Sequence, residues 1–266
     1  MRRRNSIDVF KFVRFLLLVV LVGVLVYFVV SSCMNMKGRS LRVGLSESNP
    51  PLAYTDDKKN ILGFEAEYAR MLAAKLGKKP ELKLYAPEDM AEALDSGAID
   101  CVVSARQSVH DYLDKSYQTA EPFISYGLVF VISPSDDTMT GEEGLRGKRV
   151  GVIANSDAEQ LSDELLKQYS FNVRLYDFER QPFQELELKK INVVIADELV
   201  ARYMQIEAPE SYRVLDTIYK MSGYGLRLSR KLTEQAAIDI EDAVISLKSD
   251  VETMDLFIRW FGADLS

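Results

Sequence analysis

Two hydrophobic periods alternate along this chain, after an apolar run near its start. From Phe15 to Val30, sixteen apolar residues follow one another without a charge, and the run ends in Ser31-Ser32-Cys33. Beyond it the pattern breaks into short elements. Leu41 to Leu45 reads as a strand. Phe64 to Leu76 reads as a helix, with Phe64, Tyr68, Leu72 and Leu76 on one stripe and Gly77 as its stop. Leu82 to Tyr85 is the next strand. Pro87 suits a first helical position, Glu88 and Asp89 complement the positive helix end, and Gly97 closes that helix before a strand from Ile99 to Ser104. This β-α-β-α-β order predicts a mostly parallel sheet with helices on both faces.

The polar, Pro-containing stretch Ser133-Pro134-Ser135-Asp136-Asp137 reads as a linker. After it the series begins again: strand Gly147 to Ile153, helix Asp157 to Gln168, strand Asn172 to Tyr176, helix Pro182 to Lys189, strand Asn192 to Ala196. Tyr224 to Leu228 offers a further strand, followed by helices near Leu232 to Leu247 and Val251 to Phe261. The class is α/β, with an N-terminal apolar membrane segment in front.

Charge gives that segment a direction. Arg2, Arg3, Arg4, Lys11 and Arg14 precede the run against the single acid Asp8, which keeps the N-terminus cytoplasmic and exports the rest. Sixteen helical residues span roughly 24 Å, short of a hydrocarbon core about 30 Å thick, and extension through Met34 closes the gap. Val30-Ser31-Ser32-Cys33 also resembles the lipobox of a bacterial lipoprotein signal peptide, in which Cys33 receives lipid. Both readings stand: residues 1–33 are a lipoprotein signal ending at Cys33, or an uncleaved helical anchor.

Without those residues the chain holds 28 basic against 39 acidic side chains, a net charge of −11. So acidic a body argues against nucleic acid or an anionic membrane surface as partner. Only Cys101 remains after Cys33, which excludes an intrachain disulfide in a lipidated form; its apolar neighbours make it a small buried hydrophobe.

The segments Leu41-Arg42-Val43-Gly44-Leu45, Asn49-Pro50-Pro51, Gly63-Phe64-Glu65, Ala74-Lys75-Leu76-Gly77, Leu94-Asp95-Ser96-Gly97-Ala98-Ile99-Asp100, Glu121-Pro122-Phe123, the run from Leu145 to Val152, Val193-Val194-Ile195-Ala196-Asp197, Tyr224-Gly225-Leu226 and Trp260-Phe261-Gly262 stand in an order that resembles the solute-binding proteins of amino-acid ABC importers, bacterial solute-binding family 3. The resemblance implies the two-lobed type II periplasmic binding-protein fold with two hinge crossovers. Lobe 1 would comprise residues 41–130 plus 224–266 and lobe 2 residues 134–220, closing over a ligand by hinge motion. It also implies a monomer that takes a small-molecule solute and passes it to ABC permease subunits.

Mapped residue by residue, the family's carboxylate that grips a ligand ammonium falls on Asp197, which also suits the cap of a following helix. Ser108 matches a ligand-contacting serine. The family's carboxylate-clamping Arg falls on Leu113, and its Gly-Thr-Thr or Gly-Ser-Thr reads Asn155-Ser156-Asp157, where a second carboxylate opposes an anionic ligand group. Either Arg106 supplies a displaced guanidinium, with a solvent-exposed Arg106 as the plain alternative, or the ligand carries no carboxylate and Asp157 and Asp197 select an amine-bearing solute. Tyr54, two residues beyond the family's aromatic platform at Leu52, stacks on ligand or packs in the core. Glu65 contacts ligand or is a helix-start acid facing solvent.

Catalytic patterns are sparse. His110 is the one histidine, which excludes multi-histidine metal sites, and no nucleophile elbow, phosphate loop or dinucleotide fingerprint is present. The sequence therefore implies a non-enzymatic binding protein without cofactor or metal. Its alternative is a degenerate binding domain that serves a membrane partner as sensor or scaffold.

Overall fold

The computed structural model describes residues 18, 19, 22, 40–46, 50–105, 113 and 118–263. The expected membrane segment, with Cys33, lies outside the described residues except for Leu18, Val19 and Val22, which are helical and exposed. Among the described residues no helix is long and apolar enough to cross a membrane.

β1 (Ser40–Ser46) leads to a short hairpin of β2 (Tyr54–Thr55) and β3 (Ile61–Leu62), then to α1 (Phe64–Lys75), β4 (Lys79–Tyr85), α2 (Pro87–Ser96) and β5 (Cys101–Val102). β1 pairs in parallel with both β4 and β5, as the alternating pattern predicts. A long strand, β6 (Ile124–Ile132), then opens a second sheet, followed by β7 (Arg149–Ile153), α3 (Asp157–Leu166), β8 (Asn172–Tyr176), α4 (Arg180–Glu187), β9 (Val193–Asp197) and α5 (Glu198–Glu207). β10 (Arg213–Val214) and β11 (Tyr219–Tyr224) pair antiparallel with β6, and β12 (Arg227–Leu228) rejoins the first sheet beside β5. Finally α6 (Glu234–Lys248) and α7 (Val251–Phe261) pack back on α1. The strand orders are β12-β5-β1-β4 and β10-β6-β9-β7-β8, with β11 attached to β6.

The result is a two-lobed α/β molecule whose lobes are joined by β6 and β11, paired with each other from Ile124↔Tyr224 to Tyr219↔Leu128. The pattern reading assigns no element to residues 124–132, because ISYGLVFVI does not alternate; eight of its nine residues are buried, as a strand covered on both faces requires. The expected strand from Ile99 to Ser104 contracts to two residues, and that from Tyr224 to Leu228 is divided between β11 and β12. Ser133 to Asp137, expected as a linker, follows a strand already inside the second sheet and is fastened there: Lys148 pairs with the Asp136 carboxylate at 2.8 Å and Arg213 donates to its carbonyl.

The first lobe's core joins segments far apart in sequence. Phe64 lies 5.0 Å, centroid to centroid, from both Phe257 and Phe261 and stacks on Phe123 at 6.4 Å, all four fully buried. Each such ring contributes about 1.5–3 kcal/mol by burial alone, and each good ring pair about 0.5–1.5 kcal/mol more. Beneath α2, the Asp100 carboxylate accepts from the Arg42 guanidinium at 2.6 Å and the Arg42 amide at 2.8 Å. Gly97 adopts the left-handed turn (φ 75°) that ends α2 and presents its carbonyl to the same guanidinium at 2.6 Å.

Candidate functional site

β7 and β9 are parallel neighbours, so their C-terminal ends reach the same edge of the second sheet, the usual place for a ligand in such sheets. A cavity of about 360 Å³ opens there, a volume within the range of small-molecule sites. Asn155, Ser156, Asp157, Gln160, Glu179 and Asp197 give it a polar wall, and Ile153, Pro182, Phe183, Val194 and Val200 an apolar one. From the first lobe and the crossing strand, Leu52 and Tyr126 face it. None of the described lining residues is basic.

Asp197 ends β9 at the N-cap position of α5, yet its side chain makes no capping bond there; it is exposed along the cavity. Asp157 opens α3 and is exposed beside it. Both charges reach the Tyr224 hydroxyl, whose pKa is raised by burial first and by Asp197 and Asp157 in addition. Tyr126 stacks on Tyr224 with centroids 4.9 Å apart, and burial, followed by the Asp197 charge, keeps its phenol protonated well above the usual range. Four groups seen as separate in the sequence thus share one electrostatic neighbourhood.

The start of α3 is closed from within. Ser156 Oγ accepts from the Glu159 amide at 3.3 Å and donates to the Ile153 carbonyl at 2.6 Å, while Glu159 Oε2 accepts from the Asn155 amide at 2.5 Å. Asn155 holds a left-handed turn (φ 55°), which its short polar side chain tolerates. Two of the amides and the one hydroxyl at this helix start are thus taken by the chain's own groups.

Glu65 does not face solvent, contrary to one sequence reading. It is fully buried behind the cavity, where its Oε1 accepts from the Ala105 amide at 2.7 Å. The Ala105 carbonyl in turn accepts from the Tyr126 hydroxyl, so Glu65 and Tyr126 are linked through the backbone of this one residue. Leu52 is held by Gly63, whose extended positive-φ conformation (φ 108°) lets the Phe64 amide donate to the Pro51 carbonyl at 2.8 Å. Tyr54 sits in β2, outside the cavity lining. Leu113 is buried among Met90, Ala93, Leu94, Ile99 and Val102, so no clamp stands at its position. Arg106, Ser108 and His110 lie outside the described residues.

The structure therefore brings Ser156, Asp157 and Asp197 together and leaves Tyr54 and Glu65 out of the lining. Sequence reasoning missed Glu179, Gln160, Tyr126 and Tyr224. Glu179 follows the C-terminal end of β8, and attention to strand ends alone would have marked it.

Comparison with known proteins follows the same outline. The model of the bacterial extracellular solute-binding proteins, family 3, matches residues 41–263. The L-cystine-binding protein TcyJ of Escherichia coli (strain K12) is 29% identical over 228 residues, covering 85% of this chain and 84% of that protein. The arginine-binding extracellular protein ArtP of Bacillus subtilis (strain 168) is 28% identical over 263 residues, covering 93% and 98%. Among solved structures, an ancestral arginine-binding protein bound to arginine superimposes with a TM-score of 0.59 at 27% identity, covering 84% of this chain and 98% of its own. The unliganded open L-cystine solute receptor of Neisseria gonorrhoeae gives 0.69 at 19% identity, covering 88% and 98%, a likeness of fold.

Proposed function

Because the chain belongs to the bacterial extracellular solute-binding proteins of family 3, we propose that it captures a small polar solute, amino-acid-like or amine-bearing, by lobe closure and delivers it to an ABC-type permease without chemical change. One observation carries the reading: the cavity has one wall of carboxylates from the second lobe and faces Leu52 and Tyr126 across the cleft. Asp197 receives the ligand ammonium by charge-assisted hydrogen bonds, the kind that gain most once closure excludes water. The relatives named for cystine and arginine support an amino-acid-like skeleton. The lobes divide as residues 41–130 plus 224–266 and 134–220, and the protein acts as a monomer.

Residues 1–33 tether this trap outside the cytoplasmic membrane, through lipid on Cys33 or through an uncleaved helix. Intact mass of the membrane-extracted protein separates the two, because loss of residues 1–32 with added acyl mass arises only from lipidation. For solute capture, calorimetry with amino acids, polyamines and small cations is the test, together with Asp197→Ala. The reading fails if none gives heat or raises the melting temperature; unchanged affinity in Asp197→Ala removes that residue from the site.

A second reading rests on Leu113, packed in an apolar cluster where the family pattern has its clamp. A domain that has lost part of its site serves as sensor or scaffold for a membrane partner. Co-purification with a signalling protein in place of a permease would favour it.

A further inference from the structure

Resting on the solute-binding reading above, we propose that the cavity selects an aliphatic diamine without a carboxylate, with Glu179 as the residue that sets this preference. Three independent observations converge. First, Glu159 occupies the Asn155 amide, the Ser156 hydroxyl is engaged by the Ile153 carbonyl and the Glu159 amide, and Asp157 adds a further negative charge there. A ligand carboxylate would meet the negative charges of Asp157 and Glu159 at that helix end. Second, Leu113, onto which the family resemblance maps a clamping guanidinium, is turned into a core cluster. Third, Asp157, Glu179 and Asp197 all line the same cavity, with apolar surface from Ile153, Pro182, Phe183 and Val200 beside them and no basic residue among the described lining.

Carboxylates fixed along an apolar wall fit a molecule with a hydrocarbon middle and an ammonium at each end. Asp197 takes one ammonium. Glu179, half-buried at the C-terminal end of β8, takes the other, with Asp157 adding favourable potential to both. The Tyr126 ring, which lines the cavity and is kept protonated by burial, offers neutral aromatic surface beside the first ammonium.

The test compares three probes of one carbon skeleton on the full-length, detergent-extracted protein by titration calorimetry. 1,5-Diaminopentane should bind roughly tenfold or more tightly than pentylamine, which lacks the second ammonium, and than L-lysine, which adds a carboxylate. In Glu179→Gln the diamine-over-monoamine ratio should fall toward one, with the melting temperature of the free protein unchanged. If L-lysine or another α-amino acid binds more tightly than the diamine, the inference is overturned while solute capture stands. If none of these ligands nor any other amino acid or amine binds, both fall. A diamine preference that survives Glu179→Gln overturns the role of Glu179.

Discussion

Gly63 offers a sharp test of how the first lobe presents its face of the cleft. A Cβ built there lies 1.4 Å from the Leu52 carbonyl oxygen, and the backbone sits at φ 108°, a region closed to side chains. In Gly63→Ala the strained conformation costs of order 1–3 kcal/mol. The overlap also forces the Pro51–Leu52 segment away, breaking the 2.8 Å bond from the Phe64 amide to the Pro51 carbonyl, a further loss of about 0.5–1.5 kcal/mol. The total is about 3 kcal/mol, or roughly 6–12 °C in melting temperature for a protein of this size. Gly77 is the internal control, since it too has positive φ (65°) but nothing within 4 Å of its Cβ position. Gly77→Ala should therefore cost only the left-handed penalty, about 1 kcal/mol or roughly 2–4 °C. Scanning calorimetry of both variants gives the difference, and titration with ligand shows whether displacement of Leu52 weakens binding. Equal melting temperatures for the two variants would refute the argument that close backbone approach, beyond dihedral strain, fixes this loop.

Three further outcomes follow from single groups. Burial pushes the Asp136 carboxyl up, but Lys148 and the Thr138 hydroxyl and amide outweigh it and hold the pKa at about 2. With an unfolded value near 4, its stabilisation of about 2 kcal/mol is complete above that pH and is lost as pH falls toward 2. Urea midpoints against pH should thus lose slope between pH 4 and 2 in Asp136→Asn, and an unaltered slope contradicts this. Cys101 is fully buried with its thiol raised to about 12 by burial first; iodoacetamide at pH 8 should label the Cys101 peptide only after unfolding, as mass spectrometry can show. A Cβ on Gly127 would lie 2.3 Å from the Tyr219 carbonyl oxygen, so Gly127→Ala pries β11 from β6. At about 2 kcal/mol it should lower the melting temperature by roughly 4–8 °C and weaken the ligand-induced shift; a wild-type melt argues against tight pairing of the crossing strands.

Much of the architecture was legible because its signals are local. Gly77 and Gly97 are read as helix stops from the chain alone, and each takes positive φ in the structure. Other motifs were legible as strings long before their reason was visible: Gly63-Phe64, Glu121-Pro122-Phe123 and Trp260-Phe261-Gly262 meet in one ring cluster, a constraint that no window of the sequence contains. β6 escaped because a strand buried on both faces carries no alternation. Glu65 misled for a related reason. An acid in the first turn of α1 has a sufficient local explanation in the helix pole, and only the fold shows that the Ala105 amide needs it.

The site divides along the same line. Asp157 and Asp197 were legible because they sit where a helix starts after a strand, and the meaning of Ser156 changed only when its hydroxyl proved committed to Ile153 and Glu159. Glu159 is a residue whose role the sequence reading did not mark. Three positions after Ser156 it completes a Ser-x-x-Glu capping pattern, and by reaching back to the Asn155 amide it takes one of the donors at that helix start. Leu113 and Glu159 bear on the same question from the two lobes. Core packing holds Leu113 in the first lobe, where the family resemblance maps a carboxylate clamp, and in the second Glu159 takes the Asn155 amide beside the start of α3. Among the described lining residues the charge of the cleft comes from Asp157, Glu179 and Asp197, which is why the proposed ligand is recognised through its amines.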